Sequence, residues 1–502
     1  MTHFKAKVLS RVCLLTPLES EHQIIHINSG KNVLGRSKET GVRDAKCSKK
    51  QLELDVDMVK AQIKLKVLGI NPSGVNGFMV TKNTECALEH GDILEMIYGR
   101  HSFKIIFKPP PERKLQATAD NSWISIEDDK LLIFTSAGVK ASEKIAAYDV
   151  DGTIIKTKSG LVFPKSSDDW MLNCENAPKK LKQLFNTGFK ICFFTNQGGI
   201  SKGKVNISEF KAKMQSIVQK LDVPIQVFIA TGEGYYRKPL PGMWEYLQKE
   251  ANENVNIDKD QSFFVGDAAG RPEVGKGIHK RRKDHSLADR LFAKNLNINF
   301  YTPEEHFLGN KQEHWLPPEF ELAKYDENQS LLNPPNAKLS IGPCEMIIML
   351  GLPGSGKTHF CEKHLSPLGY FIANADSLKS TKACLEACER FLSKGTSCAV
   401  DNTNIDIESR KKFIDLAKKY KTPCRCFVMG TSIAHIKHNL AYRHLIDKKH
   451  SKINDMIFNT MKKKYTAPNM AEGFAEIVTV NLKFQFDSNY NESLYKLYLL
   501  EK

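Results

Sequence analysis

Eight consecutive residues, Gly351-Leu352-Pro353-Gly354-Ser355-Gly356-Lys357-Thr358, constrain the last third of this 502-residue chain more than any other stretch. They follow the apolar run Met346 to Leu350 and precede a helix-like segment, so a buried strand must feed a glycine turn that opens a helix. In that setting Gly351, Gly354 and Gly356 allow backbone N–H groups, with Ser355 among them, to close on phosphate oxygens at the helix N-terminus. Lys357 then reaches the β and γ groups of a nucleoside triphosphate such as ATP, and the Thr358 hydroxyl is placed to coordinate Mg²⁺. The acceptor of the phosphoryl group is not encoded in the loop itself. Asp376, just after the strand-like Tyr370 to Ala373, suits a general base at the next strand's end, with a helix N-cap as the alternative. Asp401-Asn402-Thr403-Asn404 follows another apolar strand and offers groups for metal or nucleic acid. Ten Lys or Arg against Asp447 and Asp455 between Lys421 and Lys464 suggest a cationic lid or a solvated face, with Arg443 chosen for the lid.

A second signature, Asp149-Val150-Asp151-Gly152-Thr153, ends the buried-type run Ile145 to Val150. Two carboxylates two residues apart, where a strand becomes a loop, can face one pocket, and they repel unless a cation intervenes. Mg²⁺ held by Asp149, the backbone near Asp151 and a third acid such as Asp267 relieves that repulsion and offsets the charge of an incoming phosphate. Asp284 and Asp289 are both candidates for a further metal contact.

The rest of the chain sorts around these motifs. Residues 1 to 108 carry short alternating runs (Phe4 to Leu9, Ile24 to Ile27, Leu52 to Val59, Gln62 to Leu68, Phe78 to Val80, Ile93 to Tyr98, Phe103 to Phe107) and read as an all-β sandwich. Pro109-Pro110-Pro111 opens a linker over 109–144, part of which docks on a neighbour through Trp123, Ile124 and the Leu131 to Phe134 run. Strand-like Ile191 to Thr195, Val227 to Ala230 and Ser262 to Gly266 alternate with helical stretches over 145–332, and a second such α/β domain fills 333–502 after Asn333-Pro334-Pro335-Asn336. The fold class is therefore multidomain, one β sandwich followed by two α/β domains. A net charge of +16 favours a polyanionic partner. No signal-peptide layout or membrane-length apolar run is present, so no membrane partner is expected. Twelve Cys follow no framework and fit reduced thiols in cytosol or nucleus; Cys384 with Cys388, Cys424 with Cys426, and His435 with His438 lack zinc-finger spacing.

Asp-x-Asp-Gly-Thr at a strand end resembles the haloacid dehalogenase superfamily, and later elements arrive in that family's order: Phe193-Phe194-Thr195-Asn196-Gln197-Gly198, Lys238 before Pro239, and Val265-Gly266-Asp267. The resemblance implies that Asp149 is the nucleophile forming an aspartyl-phosphate and that Asp151 protonates the leaving alcohol, then activates water. It implies that Thr195 and Lys238 hold the phosphoryl oxygens and that Asp267 binds Mg²⁺. The N-terminal sandwich resembles a forkhead-associated domain through Gly35-Arg36-Ser37 and Cys47-Ser48-Lys49. Arg36, Ser48 and Lys49 would grip phosphothreonine and Asn71 the peptide backbone. Lys50-Gln51 and Asn71-Pro72 depart from that family's usual histidine and Asn-Gly.

Taken with Asp267-Ala268-Ala269-Gly270-Arg271, Ala288-Asp289-Arg290-Leu291-Phe292-Ala293, Pro423-Cys424-Arg425-Cys426-Phe427 and Ala471-Glu472-Gly473-Phe474, the order of domains is similar to the animal polynucleotide phosphatase/kinase family. That resemblance implies removal of 3′-phosphates and ATP-dependent phosphorylation of 5′-hydroxyls at DNA breaks. It also implies phosphorylated repair scaffolds as partners, a nuclear location and a monomer. Lys280-Arg281-Arg282-Lys283 is a DNA-facing patch, a nuclear import signal or a charged loop. RNA ends, a small metabolite, or an adaptor role with inactive catalytic domains are the competing readings.

Overall fold

A computed structural model of the chain describes residues 11–19, 22–108, 118–275, 281–447, 453–486 and 488–502. They fall into two compact units, Met1–Leu115 and Gln116–Lys502.

In the first unit, apolar residues alternate with polar ones at the period of a strand. Leu52, Leu54 and Val56 point inward from Leu52–Asp57, and Ile63, Leu65 and Val67 from Gln62–Val67. Two antiparallel sheets result, one of six strands and one of four. Their inner faces meet in a single core that includes Leu15, Ile27, Leu94, Phe103 and Phe107. The anticipated Phe4 to Leu9 strand lies outside the described residues. Val12–Pro17, Gly30–Leu34, Ser73–Val75 and Glu85–Glu89 are strands that no strong alternation announces. His22 Nε2 meets His101 Nδ1 at 3.0 Å and His101 Nε2 meets Asp44 Oδ2 at 3.4 Å, a polar chain tying two loops to the strand Arg100–Lys108.

The second unit holds two large sheets and a two-stranded ribbon, Ile155–Lys156 with Met171–Leu172. In the first, the strands run in the order Ser122–Ile126, Leu131–Thr135, Ile225–Ala230, Lys190–Asn196, Ile145–Tyr148, Phe263–Val265 and Asn299–Tyr301. The last five are parallel and the first two antiparallel. This corrects the expected 109–144 linker, which contains a hairpin belonging to the sheet. All five residues of Leu131–Thr135 are buried, which a linker cannot achieve without pairing its backbone, and Leu131 to Thr135 pair with Ala230 to Gln226. Neighbouring residues serve opposite faces: Phe193 packs with Tyr148, Met214 and Ile217, and Phe194 with Phe228, Trp244 and Phe292.

The second sheet runs Leu332–Asn333, Glu476–Val480, Cys424–Met429, Met346–Leu350, Cys398–Asp401 and Phe371–Asn374, all parallel except the first. In both sheets the chemistry-bearing residues gather at the carboxyl ends of the parallel strands, where loops diverge and leave a crevice.

Candidate functional site

Four neighbouring strand ends build the first site. Asp149 leaves Ile145–Tyr148, Thr195 lies in Lys190–Asn196, Lys238 is in the loop beyond Ile225–Ala230, and Asp267 follows Phe263–Val265. Lys238 is only 1% exposed. Its Nζ donates to Asp149 Oδ1 and to Asp289 Oδ1, each at 2.6 Å. Burial works against the ammonium, but the Asp149 and Asp289 carboxylates outweigh it and hold its pKa above the ordinary lysine value. Asn196 fixes the backbone here: its Nδ2 donates to the Lys238 carbonyl at 3.0 Å, and its Oδ1 accepts the Lys238 N–H at 2.9 Å.

Carboxylate oxygens of Asp149, Asp267 and Asp289 lie within 4.8 Å of one another. Burial pushes Asp149 up to about 7 against the pull of Lys238, and it pushes Asp267 well above the usual carboxylate range. Three carboxylates face one ammonium, and all the donors are hard oxygens, so the cluster fits a divalent cation of the Mg²⁺ type. Gly152 allows the close approach: its φ is +86°, and a Cβ there would stand 2.5 Å from the Asp267 carboxylate.

Of the two later acids, Asp289, in the first turn of Ala288–Leu296, is the one that lies in this cluster. Asp284 instead accepts from Arg271 Nε at 2.9 Å and belongs to a separate ion pair. The Asp151 side chain stands apart from this cluster, which leaves the expected backbone contact near Asp151 untouched. Its carboxylate accepts from Gln197 Nε2 at 2.6 Å and lies 3.4 Å from Lys213 Nζ, outside the acid cluster. A half-exposed carboxylate held this way is free to exchange protons with solvent or a leaving group. Gln197 also donates to Thr195 Oγ1 at 2.9 Å. Sequence reasoning gave neither Gln197 nor Lys213 a role; the only local hint was that Gln197 is two residues beyond Thr195.

The second site forms where Met346–Leu350 enters the glycine loop. Gly356, at φ +97°, opens the helix Lys357–Phe360, and a Cβ there would meet Leu482 at 2.5 Å. Lys357 Nζ donates to the carbonyls of Gly351 at 2.9 Å and Leu352 at 3.1 Å, and burial lowers its pKa to about 8. The Thr358 hydroxyl donates to Asp401 Oδ2 at 2.7 Å, and Asn374 Nδ2 donates to the same oxygen at 2.7 Å. Asp401 Oδ1 and Ser355 Oγ are buried without a hydrogen-bond partner. An orphaned carboxylate oxygen beside a hydroxyl at a phosphate loop fits a divalent cation between nucleotide and protein.

Asn374, whose side chain accepts the Asp376 and Ser377 N–H groups, caps Ala375–Leu378. The capping alternative therefore falls to Asn374, and the Asp376 carboxylate is left exposed. Over the loop lies Ile433–Ile446, where Asn439 Nδ2 donates to the Gly354 carbonyl at 2.8 Å; Arg443 follows one turn later.

In the sandwich, Arg36 Nε donates to the Cys47 carbonyl at 3.2 Å, and the Arg36 N–H to the Ser48 carbonyl at 3.0 Å. Lys49 is exposed beside Ser48, and Asn71 Nδ2 donates to the Lys46 carbonyl at 2.7 Å. The four predicted residues thus lie on adjoining loops. Gln51, fully buried, joins them: its Oε1 accepts the Ser48 N–H at 3.1 Å and its Nε2 donates to the Asn71 carbonyl at 2.8 Å. Of the Lys280-Arg281-Arg282-Lys283 run, Lys280 lies outside the described residues, and Arg281 pairs with Asp284 and Glu313.

Comparison with known proteins finds a family match within each of the three domains. The polynucleotide kinase 3 phosphatase family model matches residues 144–307, an FHA domain model residues 13–82, and an AAA domain model residues 373–468. A bifunctional polynucleotide phosphatase/kinase of Schizosaccharomyces pombe is 36% identical over 360 residues, spanning 71% of this chain and 84% of its own length. A protein of Acanthamoeba polyphaga mimivirus is 33% identical over 372 residues, spanning 69% and 86%. The polynucleotide 3′-phosphatase ZDP of Arabidopsis thaliana is 38% identical over 185 residues, spanning 34% of this chain and 25% of its own. With a phosphatase domain, a kinase domain and relatives matched over most of their length, the chain belongs to the bifunctional polynucleotide phosphatase/kinase family.

Proposed function

We propose that this protein makes broken DNA strands ligatable by removing 3′-phosphates at the Asp149 site and adding 5′-phosphates at the Lys357 site, with ATP as donor and Mg²⁺ as the metal at both. In the first reaction an Asp149 oxygen attacks phosphorus, the bond to the 3′-oxygen breaks, and Asp151 gives that oxygen its proton. Asp151 then takes a proton from water as the water attacks the aspartyl-phosphate, releasing inorganic phosphate and restoring Asp149. Lys238 and Thr195 hold the phosphoryl oxygens. Asp149, Asp267 and Asp289 would hold the metal, which would neutralise phosphate charge while the carboxylate attacks. The observation carrying this half is the Lys238 ammonium fixed at 2.6 Å from two buried carboxylates, Asp149 at a strand end and Asp289 in the first turn of a helix.

In the second reaction Asp376 takes the proton from a 5′-hydroxyl as its oxygen attacks the γ-phosphorus, and ADP leaves. The glycine loop with Ser355 and Lys357 binds the β and γ phosphates, Arg443 covers them, and Thr358 with Asp401 would hold the metal. Arg36, Ser48, Lys49 and Asn71 bind a phosphothreonine on a repair scaffold, and the chain works in the nucleus.

Matched DNA and RNA oligonucleotides carrying a 3′-phosphate and a 5′-hydroxyl, incubated with the full chain, ATP and Mg²⁺, test the reading. Both DNA ends should convert, with rates that fall as salt rises. Conversion of RNA alone, or of neither end, would overturn it.

A further inference from the structure

Lys238 is flanked by residues whose bonds lead away from the acids. Arg237 Nε donates to Glu501 Oε1 at 2.6 Å, and the Pro239 carbonyl accepts from Asn295 Nδ2 at 2.9 Å. The same Asn295 side chain brackets Tyr498: its Nδ2 donates to the Tyr498 carbonyl at 3.0 Å, and its Oδ1 accepts the Tyr498 N–H at 2.8 Å. The Glu501 carbonyl accepts the N–H of Leu287 at 2.7 Å. Leu287 is the N-cap residue of Ala288–Leu296, the helix that delivers Asp289 to Lys238.

Tyr498 and Glu501 belong to the segment after Asn489–Tyr495, the last helix of the kinase half. That helix is itself tied to the phosphate loop: Tyr495 OH donates to Asn439 Oδ1 at 2.5 Å, and Asn439 Nδ2 donates to the Gly354 carbonyl at 2.8 Å. A chain segment rooted at one active site therefore grips the loop that carries the lysine of the other and the helix that carries one of its two carboxylate partners. Beside it lies a cavity of about 670 Å³, with Leu499 to Glu501 and Arg237 to Leu240 among its lining residues. On that side the Lys238 loop and this segment both border open space.

We infer that Tyr498–Glu501 is a positioning strap for the phosphatase site, and that Glu501, through Arg237 and Leu287, sets the placement of Lys238 and Asp289. This rests on the phosphatase reading given above. Glu501 touches no reacting atom, so its effect is on geometry. Two 2.6 Å contacts to one ammonium tolerate little displacement, because a misplacement of a fraction of an ångström in a supporting loop weakens both. The Arg237–Glu501 pair is about one-third exposed on each side, so screening keeps its contribution to global stability small.

The test uses the full chain with Glu501→Gln, Arg237→Gln, the double variant, and the reversed pair Arg237→Glu/Glu501→Arg. For 3′-phosphate removal from an oligonucleotide, kcat should fall about fivefold in each single variant while KM holds. The double variant should lose no more than the singles, and the reversed pair should recover most of the loss. Kinase rate and melting temperature should stay near wild type. Unchanged kcat in Glu501→Gln, additive losses in the double variant, or a parallel fall of kinase rate and melting temperature would each overturn the strap. A wild type unable to remove 3′-phosphate would overturn the underlying phosphatase reading, and the strap with it.

Discussion

Lys238 and Lys357 are both buried lysines at the carboxyl ends of parallel strands, yet their surroundings act on them in opposite directions. Lys238 stands between two carboxylates that raise its pKa, whereas Lys357 donates to two backbone carbonyls, and burial lowers it to about 8. The first site builds its cation–anion framework from its own side chains. The second keeps a lysine on weak acceptors and a buried carboxylate oxygen, Asp401 Oδ1, without a partner. The difference follows from the proposed chemistry. A phosphatase that forms a covalent bond to its own aspartate must carry the acids in the protein, while a kinase receives most of its negative charge with the nucleotide.

The largest expected effect probes the preassembled side. Asp289→Asn should lower 3′-phosphate release about 100-fold, as loss of a supporting carboxylate at a metal site does, whereas Asp284→Asn should leave it within about threefold. Equal losses would mean that the Arg271–Asp284 pair also belongs to the chemistry. On the other side, Asp401→Asn should cut 5′-phosphorylation about 30-fold and raise the Mg²⁺ concentration needed for half-maximal rate.

Two pH measurements sharpen the contrast. Asp149 is pushed up to about 7, so it is increasingly protonated as pH falls through that value, and a cation must displace the proton. Mg²⁺ affinity at the phosphatase site should therefore weaken about tenfold from pH 6.5 to 5.5 and level off above pH 8, as read by titration with a kinase-dead variant. Lys357 has the opposite sign. Its lowered pKa leaves it partly neutral above pH 8, and phosphate should restore the charge, so nucleotide binding at pH 8.5 should take up a fraction of a proton. Calorimetry in two buffers of different ionisation enthalpy reads that uptake, and Lys357→Met should abolish it.

How much of this was legible in the sequence depended on distance along the chain. Asp149, Lys357 and Thr358 sit in contiguous motifs whose spacing dictates a strand, a turn and a helix, and each lies where such a motif must put it. Asp289 comes 22 residues after Asp267, in the first turn of a helix, where an acid is equally at home as a partner of the helix dipole; only the fold distinguishes it from Asp284. Asp401 meets Thr358 across 43 residues because the strand feeding the glycine loop neighbours the strand that ends in Asp401, and no local pattern records that pairing. The hairpin from Ser122 to Thr135 was obscured for a different reason. A four-residue apolar run after a proline-rich stretch fits a docking segment as well as a sheet strand, and only its pairing with Ile225–Ala230 separates the two. Gln51 reads as a departure from a family pattern until its amide is seen bridging Ser48 and Asn71.

The central claim is that two independent phosphate sites act within one chain, and reciprocal inactivation tests it most directly. One oligonucleotide carrying a 3′-phosphate and a 5′-hydroxyl is given to wild type, Asp149→Ala and Lys357→Ala with ATP and Mg²⁺, and both ends are followed in the same reaction. Asp149→Ala should lose only 3′-phosphate removal and Lys357→Ala only 5′-phosphorylation, each by at least about 1,000-fold. Loss of both activities in either variant would contradict the account.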